Sequence, residues 1–377
     1  MREQLAFAQF GAAARRIGAL ALCLALCTLG PGLSAKAQDR QATIITFDAP
    51  GSFEGTFPQG ITPAGAITGF YFDENFVDHG FLRAPDGTFT IFDPAGSFGT
   101  APFSITPAGA ITGFYFDAIG AFHGFLRARD GTFTLFDVPG AGKGHFQGTT
   151  PYNINPAGTI AGQYNDASNV FHGFLRTPDG TITTFDVPDA GTGPGQGTFT
   201  ATEEGLSPVG AIAGNYTDAS GTSHGYVRAP DGAIATFDVP GAGTGSGQGT
   251  FSGGINPAGT ISGAYLDDTN VYHGFLRPRD GTITTFHVPG AGTGTFQGTF
   301  GGNINAPGVY AGDYIDASNV THGFLRSKHG AITTYDAPGA GTASGQGTFI
   351  GIDNPAGAIT GYYIDANNVV HGYLRIP

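Results

Sequence analysis

The chain has 377 residues, among them 65 glycines, 32 phenylalanines, no tryptophan and only two cysteines, and its 16 basic and 29 acidic residues give a net charge of −13. An acidic chain of this kind is a poor partner for nucleic acid or an anionic membrane surface, both of which are bound through Lys and Arg. Its cysteines, Cys23 and Cys27, both fall near the N-terminus, so the remainder can form no disulfide, cysteine metal site or thiol nucleophile.

From the N-terminus, Arg2, Arg15 and Arg16 precede an apolar run from Ile17 to Leu29, and Ala35-Lys36-Ala37 follows. This is the order of a secretory signal peptide with an A-x-A cleavage site. The run of 13 residues is shorter than the ~20 that a spanning helix needs. Residues 1–37 are therefore expected to be removed near Ala37, leaving a secreted or periplasmic protein with no membrane insertion, by either the Sec or the twin-arginine route. Their removal takes four basic residues and one acidic residue and leaves 12 against 28, a net charge of −16.

The remainder, residues 38–377, is expected to be one domain built from seven repeats. His-Gly pairs begin at His79, His123, His172, His224, His273, His322 and His371, in steps of 44, 49, 52, 49, 49 and 49 residues. In the fifth unit, Asn256-Pro257-Ala258-Gly259 and Pro278-Arg279-Asp280-Gly281 read as type I turns closed by glycine. They separate segments rich in Thr, Ile, Phe and Tyr: 250–255, 260–267, 272–277 and 282–287. Each unit thus reads as a four-stranded antiparallel meander. Its strands are apolar on both faces, as at Phe89, Ile91 and Phe92, so both faces must be covered by neighbouring units. The phenylalanines two places after the histidines are expected to carry that packing.

The last unit stops at Pro377 without a fourth strand, while Thr43–Asp48 is an orphan strand that matches the missing one. Pairing the two removes both open edges, which a linear solenoid would leave exposed. The expected fold is all-β: a seven-bladed β-propeller of four-stranded antiparallel blades, closed by the N-terminal strand.

Every unit carries a tyrosine eight residues and an aspartate six residues before its histidine, and an arginine four after it. The aspartates are Asp73, Asp117, Asp166, Asp218, Asp267, Asp316 and Asp365. A second carboxylate is expected opposite the histidine from the fourth strand, at Asp93, Asp137, Asp186, Asp238 and Asp336, with His287 the exception. An imidazole between two carboxylates can be a general acid/base dyad. Seven equal copies instead favour a buried structural network that ties three strands together. The arginines are expected in ion pairs, and the Asp-Ala-Ser-Asn hairpins as Asx turns, since they lack calcium-loop spacing. No metal site and no cofactor are expected, and runs such as 241–247 are expected to be flexible linkers.

Gly-Ile-Asn-Pro-Ala-Gly-Thr-Ile-Ser-Gly (254–263) and Tyr-x-Asp-x5-His-Gly-Phe-Leu (265–276) resemble the HAF-repeat extracellular proteins of bacteria, over essentially all of residues 43–377. Gly stands here where the family has Ala after the His, and Arg where it often has an aromatic or aliphatic residue. The resemblance implies a secreted repeat protein and supplies no catalytic residues.

An asymmetric activity must use residues that do not repeat: Glu54, Glu74, Glu203, Glu204, Lys143, Lys328, His145, His287 and His329. Of these, Glu203 and Glu204 belong to a three-residue insertion in the first strand of the fourth unit, the strand that lines a propeller's channel. The expected function is a non-enzymatic binding or interaction module whose partner is a polysaccharide or another extracellular protein. The alternative is a hydrolase or lyase acting on saccharides, with Glu203 and Glu204 at the channel mouth.

Overall fold

The computed structural model describes residues 42–202 and 204–377. The expected signal peptide, its cleavage site and Glu203 lie outside the described residues. All of the regular structure among them is β: 28 strands in antiparallel four-stranded meanders. We number the units one to seven by their His-Gly pairs. In the fifth, the strands are Gly249–Ile255, Ile261–Leu266, Tyr272–Arg277 and Thr284–Phe286, within two residues of the segments read from the sequence. In the seventh they are Gly347–Asp353, Ile359–Ile364 and Val370–Ile376, with Thr43–Phe47 added antiparallel as the outer strand, from Thr43 opposite Ile376 to Phe47 opposite Gly372.

The first strand of each unit is innermost, and its end, with the turn that follows, faces a common axis shared by all seven units. This radial arrangement is that of a β-propeller. Single parallel bridges join successive units, as between Ser223 and Gly249, and the bridge from Val370 to Gly55 joins the last unit to the first. Gly249 has φ +118°, and a Cβ there would overlap the Ser223 carbonyl oxygen, so the bridge needs glycine. Next to it the buried Thr250 hydroxyl accepts the Val239 N–H at 3.0 Å, and the same latch recurs at Thr56, Thr149, Thr198, Thr299 and Thr348. In the second unit Pro94 stands where the donor would be, and Thr100 bonds Ser97 instead.

The aromatic residue two places after each histidine is fully buried: Phe81, Phe125, Phe174, Tyr226, Phe275, Phe324 and Tyr373. It packs on the outer-strand aromatic of the preceding unit, for example Phe275 on Phe237 with ring centroids 6.0 Å apart. The repeated arginines differ from expectation. Each lays its guanidinium over that same outer-strand ring, at 4.6 to 5.1 Å, from Arg83 on Phe47 to Arg375 on Tyr335. A flat cation on an aromatic face suits an apolar seam better than a hydrated ion pair would. The glycine-rich linkers are not loose tethers either. The Gln248 side chain accepts the Gly245 N–H at 2.9 Å and donates to Asn270 Oδ1 at 3.0 Å, and so folds its linker against a hairpin.

Deleting Ala42–Asp48 removes the outer strand of the seventh unit, the ring beneath Arg83 and the carboxylate beside His371. Half-burial of Phe47 and one cation–π contact are together worth ~2 kcal/mol, and the deletion also bares a sheet edge. The truncated protein should unfold at distinctly lower denaturant concentration or fail to remain soluble. A denaturation curve that overlays the parent's would contradict closure by this strand.

Candidate functional site

Three places in the ring concentrate groups able to do chemistry. The first is the set of histidine networks, at the strand ends nearest the hairpins between second and third strands. Each tyrosine pairs directly across from its histidine, as Tyr164 with His172, and stacks on it at 4.6 to 5.4 Å. The histidine Nδ1 meets the fourth-strand carboxylate at 2.7 to 3.0 Å for His79, His123, His172, His224 and His322, and for His371 through Asp48. The Nε2 faces the hairpin aspartate at 2.8 to 3.8 Å. These aspartates cap the hairpins as Asx turns: Asp166 Oδ1 accepts the Ser168 and Val170 N–H groups at 2.8 and 2.9 Å. Burial pushes Asp267 upward, but hydrogen bonds from Val271, His273 and Thr269 outweigh it and hold the group at about 2. The register agrees with the spacing argument, but the setting does not. The outer carboxylates are largely exposed, 60% in the case of Asp238, so this is a surface network rather than a buried one.

The second place is an axial cavity of about 180 Å³ at the opposite strand ends, lined by residues of every unit. Ile61, Ile105, Ile154, Leu206, Ile255 and Ile304 supply a ring of aliphatic wall, and the turn prolines form the rim. The fourth-unit insertion breaks its first strand after Thr200 and places Thr202 and Glu204 on the cavity wall. Asn153 of the third unit anchors the insertion, donating to Ala201 O at 2.8 Å and accepting the Gly205 N–H at 3.0 Å. Glu204 sits at φ +41°, a strained conformation for a residue with a side chain, and its carbonyl accepts the Ile255 N–H at 3.0 Å.

The third place was missed by scanning for rare residue types, because aspartate is common in this chain. The seventh unit carries Asp353 where the other six have Ile or Leu, and it is 2% exposed. It shares a seam with Asp313 of the sixth unit, also 2% exposed. Burial, opposed by hydrogen bonding to Asn305, pushes Asp353 up to about 8. In the same seam Tyr335 and Tyr373 replace two phenylalanines of the common pattern, with their hydroxyls 3.1 Å apart. Burial raises both phenols, Tyr335 pushes Tyr373 up further through its charge and hydrogen bond, and the Asp313 charge adds to each. A third acid, Asp78, stands beside His79 and is raised to about 8 by burial and by the charges of Asp93 and Asp73. Aligning the units position by position, rather than by residue type, exposes all three aspartates.

No family model matches the sequence, and no curated protein matches it. Solved structures do resemble it. Virginiamycin B lyase from Staphylococcus aureus superposes with a TM-score of 0.57 at 13% identity, over 89% of this chain and 100% of that one. The BP39L lectin from Burkholderia pseudomallei gives 0.54 at 9% identity, over 86% and 96%. Likeness at such identities concerns the fold alone.

Two predictions follow from these sites. Asp353 holds its proton far more tightly folded, at about 8, than its ordinary value of 3.8. Folding therefore takes up a proton between those values, and stability is lost as pH rises through that window, by up to ~1.4 kcal/mol per pH unit. Asp353→Asn should raise stability at pH 8 and flatten the slope between pH 5 and 8 by roughly that amount. Equal pH profiles for variant and parent would show that Asp353 is ionised in the fold. In the fifth unit, His287→Asp restores the pairing found elsewhere and should stabilise the protein by ~0.3–1 kcal/mol, read from denaturation. A loss of stability would mean that His287 has a partner more favourable than His273.

Proposed function

We propose that the chain is an exported seven-bladed β-propeller, closed by its N-terminal strand and of the HAF-repeat kind, that acts as a non-enzymatic saccharide-binding module. The observation that carries this reading is the axial cavity: every repeat lines it, and the one insertion among seven repeats reaches into it. Evolution of a ring without a ligand has no need for a strained glutamate at that point. The cavity is smaller than the ~300–1,000 Å³ of pockets for drug-sized ligands, so it suits one terminal group rather than a length of chain. Its aliphatic ring matches the apolar face of a sugar, while Glu204 and Thr202 offer bonds to hydroxyls.

The names of the two similar structures, a lectin and a lyase, illustrate that one architecture hosts both kinds of function. Saccharide hydrolysis commonly employs two acids, and among the described lining residues Glu204 is the only one.

The test is a screen of glycans and extracellular polysaccharides on exported protein, whose first residue should be Gln38. Pro208 is an exposed residue of the cavity rim, so Pro208→Trp plugs the mouth without disturbing the core. A saccharide should bind the parent and lose at least about tenfold in affinity in the variant, at unchanged thermal midpoint. Equal affinities would move the site elsewhere, and release of shorter products would replace binding with catalysis. Capture of an extracellular protein and no glycan would replace the partner class.

A further inference from the structure

Eight large apolar side chains are exposed among the described residues, and five of them, Phe53, Ile91, Phe98, Ile119 and Leu135, belong to the first two units. Two more, Ile45 and Ile376, lie on the adjoining seventh unit. None of the five follows the pattern of the other units. Phe53 and Phe98 donate their backbone N–H to the last carbonyl of the second strand, at Phe72 and Phe116, a bond that the other five linkers make from Gly142, Gly191, Gly243, Gly292 and Gly341. Ile119 has its N–H on the Asx-turn aspartate, where all six sibling hairpins present Asn, Ser or Thr. Ile91 and Leu135 pair with the buried third-strand aromatic from a position that is Thr in the other five units.

The first hairpin adds Phe76, at φ +61°, where the equivalent residues are Asn or Gly. A bulky side chain is poorly suited to that region. Its ring meets Phe53 edge-on, with centroids 6.5 Å apart. Phe53, Phe98 and Ile119 are 59%, 62% and 60% exposed. Single apolar residues are ordinary on a surface, but a group of them where the sibling units use Gly, Thr and small polar residues marks a contact face.

The charges beside this group are of one sign. Glu54 follows Phe53, Glu74 belongs to the hairpin of Phe76, Asp93 is two residues from Ile91, and Asp117 caps the hairpin of Ile119. The arginines of these units stand elsewhere: Arg83 and Arg127 are buried, and Arg129 lies by the turn at Gly109, at the cavity end of the strands. Lys143 and His145, of the next linker, mark the edge towards the third unit.

We propose that the hairpin face and outer rim of the first two units form a docking surface for a basic protein segment bearing aromatic or aliphatic side chains, with Phe53 and Phe98 as its anchors. Aromatic residues at the centre and charges at the rim are the usual anatomy of a protein interface, and a rim of carboxylates selects a partner rich in Lys and Arg. Ile91, Ile119 and Leu135 lack the ring face on which a sugar stacks, so a protein segment fits better than a glycan. The surface lies away from the axial cavity and stands whether or not the saccharide reading does.

The experiment titrates the intact protein by calorimetry with a short synthetic amphipathic peptide of Lys and Leu, and with versions in which Ser replaces Leu or Glu replaces Lys. The Lys/Leu peptide should saturate one site on the parent, and the other two should bind at least about tenfold more weakly. Phe53→Gly with Phe98→Gly restores the linker residue of the sibling units and should also weaken binding at least about tenfold, with an unfolding curve showing an intact ring. Glu54→Gln with Glu74→Gln should weaken it about threefold or more and flatten its salt dependence. Pro208→Trp, at the cavity rim, should bind the peptide as the parent does. Equal affinity in the parent and the double Phe variant, no saturable binding by the parent, or loss of binding in Pro208→Trp would overturn the proposal. So would a parent dimer that the double Phe variant abolishes, which would assign the surface to a second copy of the chain, or a glycan whose binding depends on the same two rings.

Discussion

Everything in this structure depends on the fact that each four-stranded sheet is apolar on both faces and can be covered only by another copy of itself. The seam between copies is a three-layer contact: an outer-strand aromatic, the buried aromatic of the next unit edge-on to it, and that unit's arginine flat upon it. Each buried ring contributes ~1.5–3 kcal/mol and each guanidinium contact ~0.5–2 kcal/mol. A row of such units leaves one bare face at either end, and only a ring leaves none. The arginine solves a further problem, since its aliphatic stem covers apolar surface while its head reaches the turn. Arg228, for instance, lies 3.3 Å from the Ala229 carbonyl.

Such close stacking restricts what can occupy the strands. Where the third strand crosses its outer neighbour, Gly274 leaves room for the Phe286 ring, which a Cβ would strike. Around the axis, side-chain amides link one turn to the next, as Asn256 donates to Asn305 O at 3.3 Å and Asn354 to Thr62 O at 2.9 Å. The second of these crosses from the last unit to the first, so the same bond that joins neighbours also closes the ring. Without disulfides in the described residues, this repeated hydrogen bonding helps to hold a ring of this design together.

Strand positions and the histidine register were legible because both follow from turn chemistry and a period of two, which a single unit displays seven times over. The arginine contact was not. Its partner ring lies about forty residues earlier on another unit, and local spacing suggests the nearer turn aspartates instead. The linkers misled for a similar reason, since glycine content signals freedom while the restraint comes from one glutamine further along. Burial of the histidine networks was overestimated because charge pairing reads the same in sequence whether the pair is in the core or at the rim. Asp313 and Asp353 escaped because aspartate is abundant in this chain, and only position within the unit marks Asp353 as standing where the siblings have Ile or Leu.

Seven equivalent seams would make seven equivalent sites, so the places where the repeats diverge are the informative ones. One group of them converges. Tyr335, Asp353 and Tyr373 each replace the apolar residue most common at their position, and all three converge with Asp313 on the single seam between the sixth and seventh units. Any one change alone would leave a polar group buried among apolar neighbours, at a cost of ~1–3 kcal/mol. Together the two hydroxyls bond each other and Asn305 bonds Asp353, which offsets part of that cost. The lone tyrosine at the same place in the fourth unit, Tyr226, has no such partner for its buried hydroxyl. The ring thereby gathers two buried carboxyls and a bonded pair of phenols at one seam.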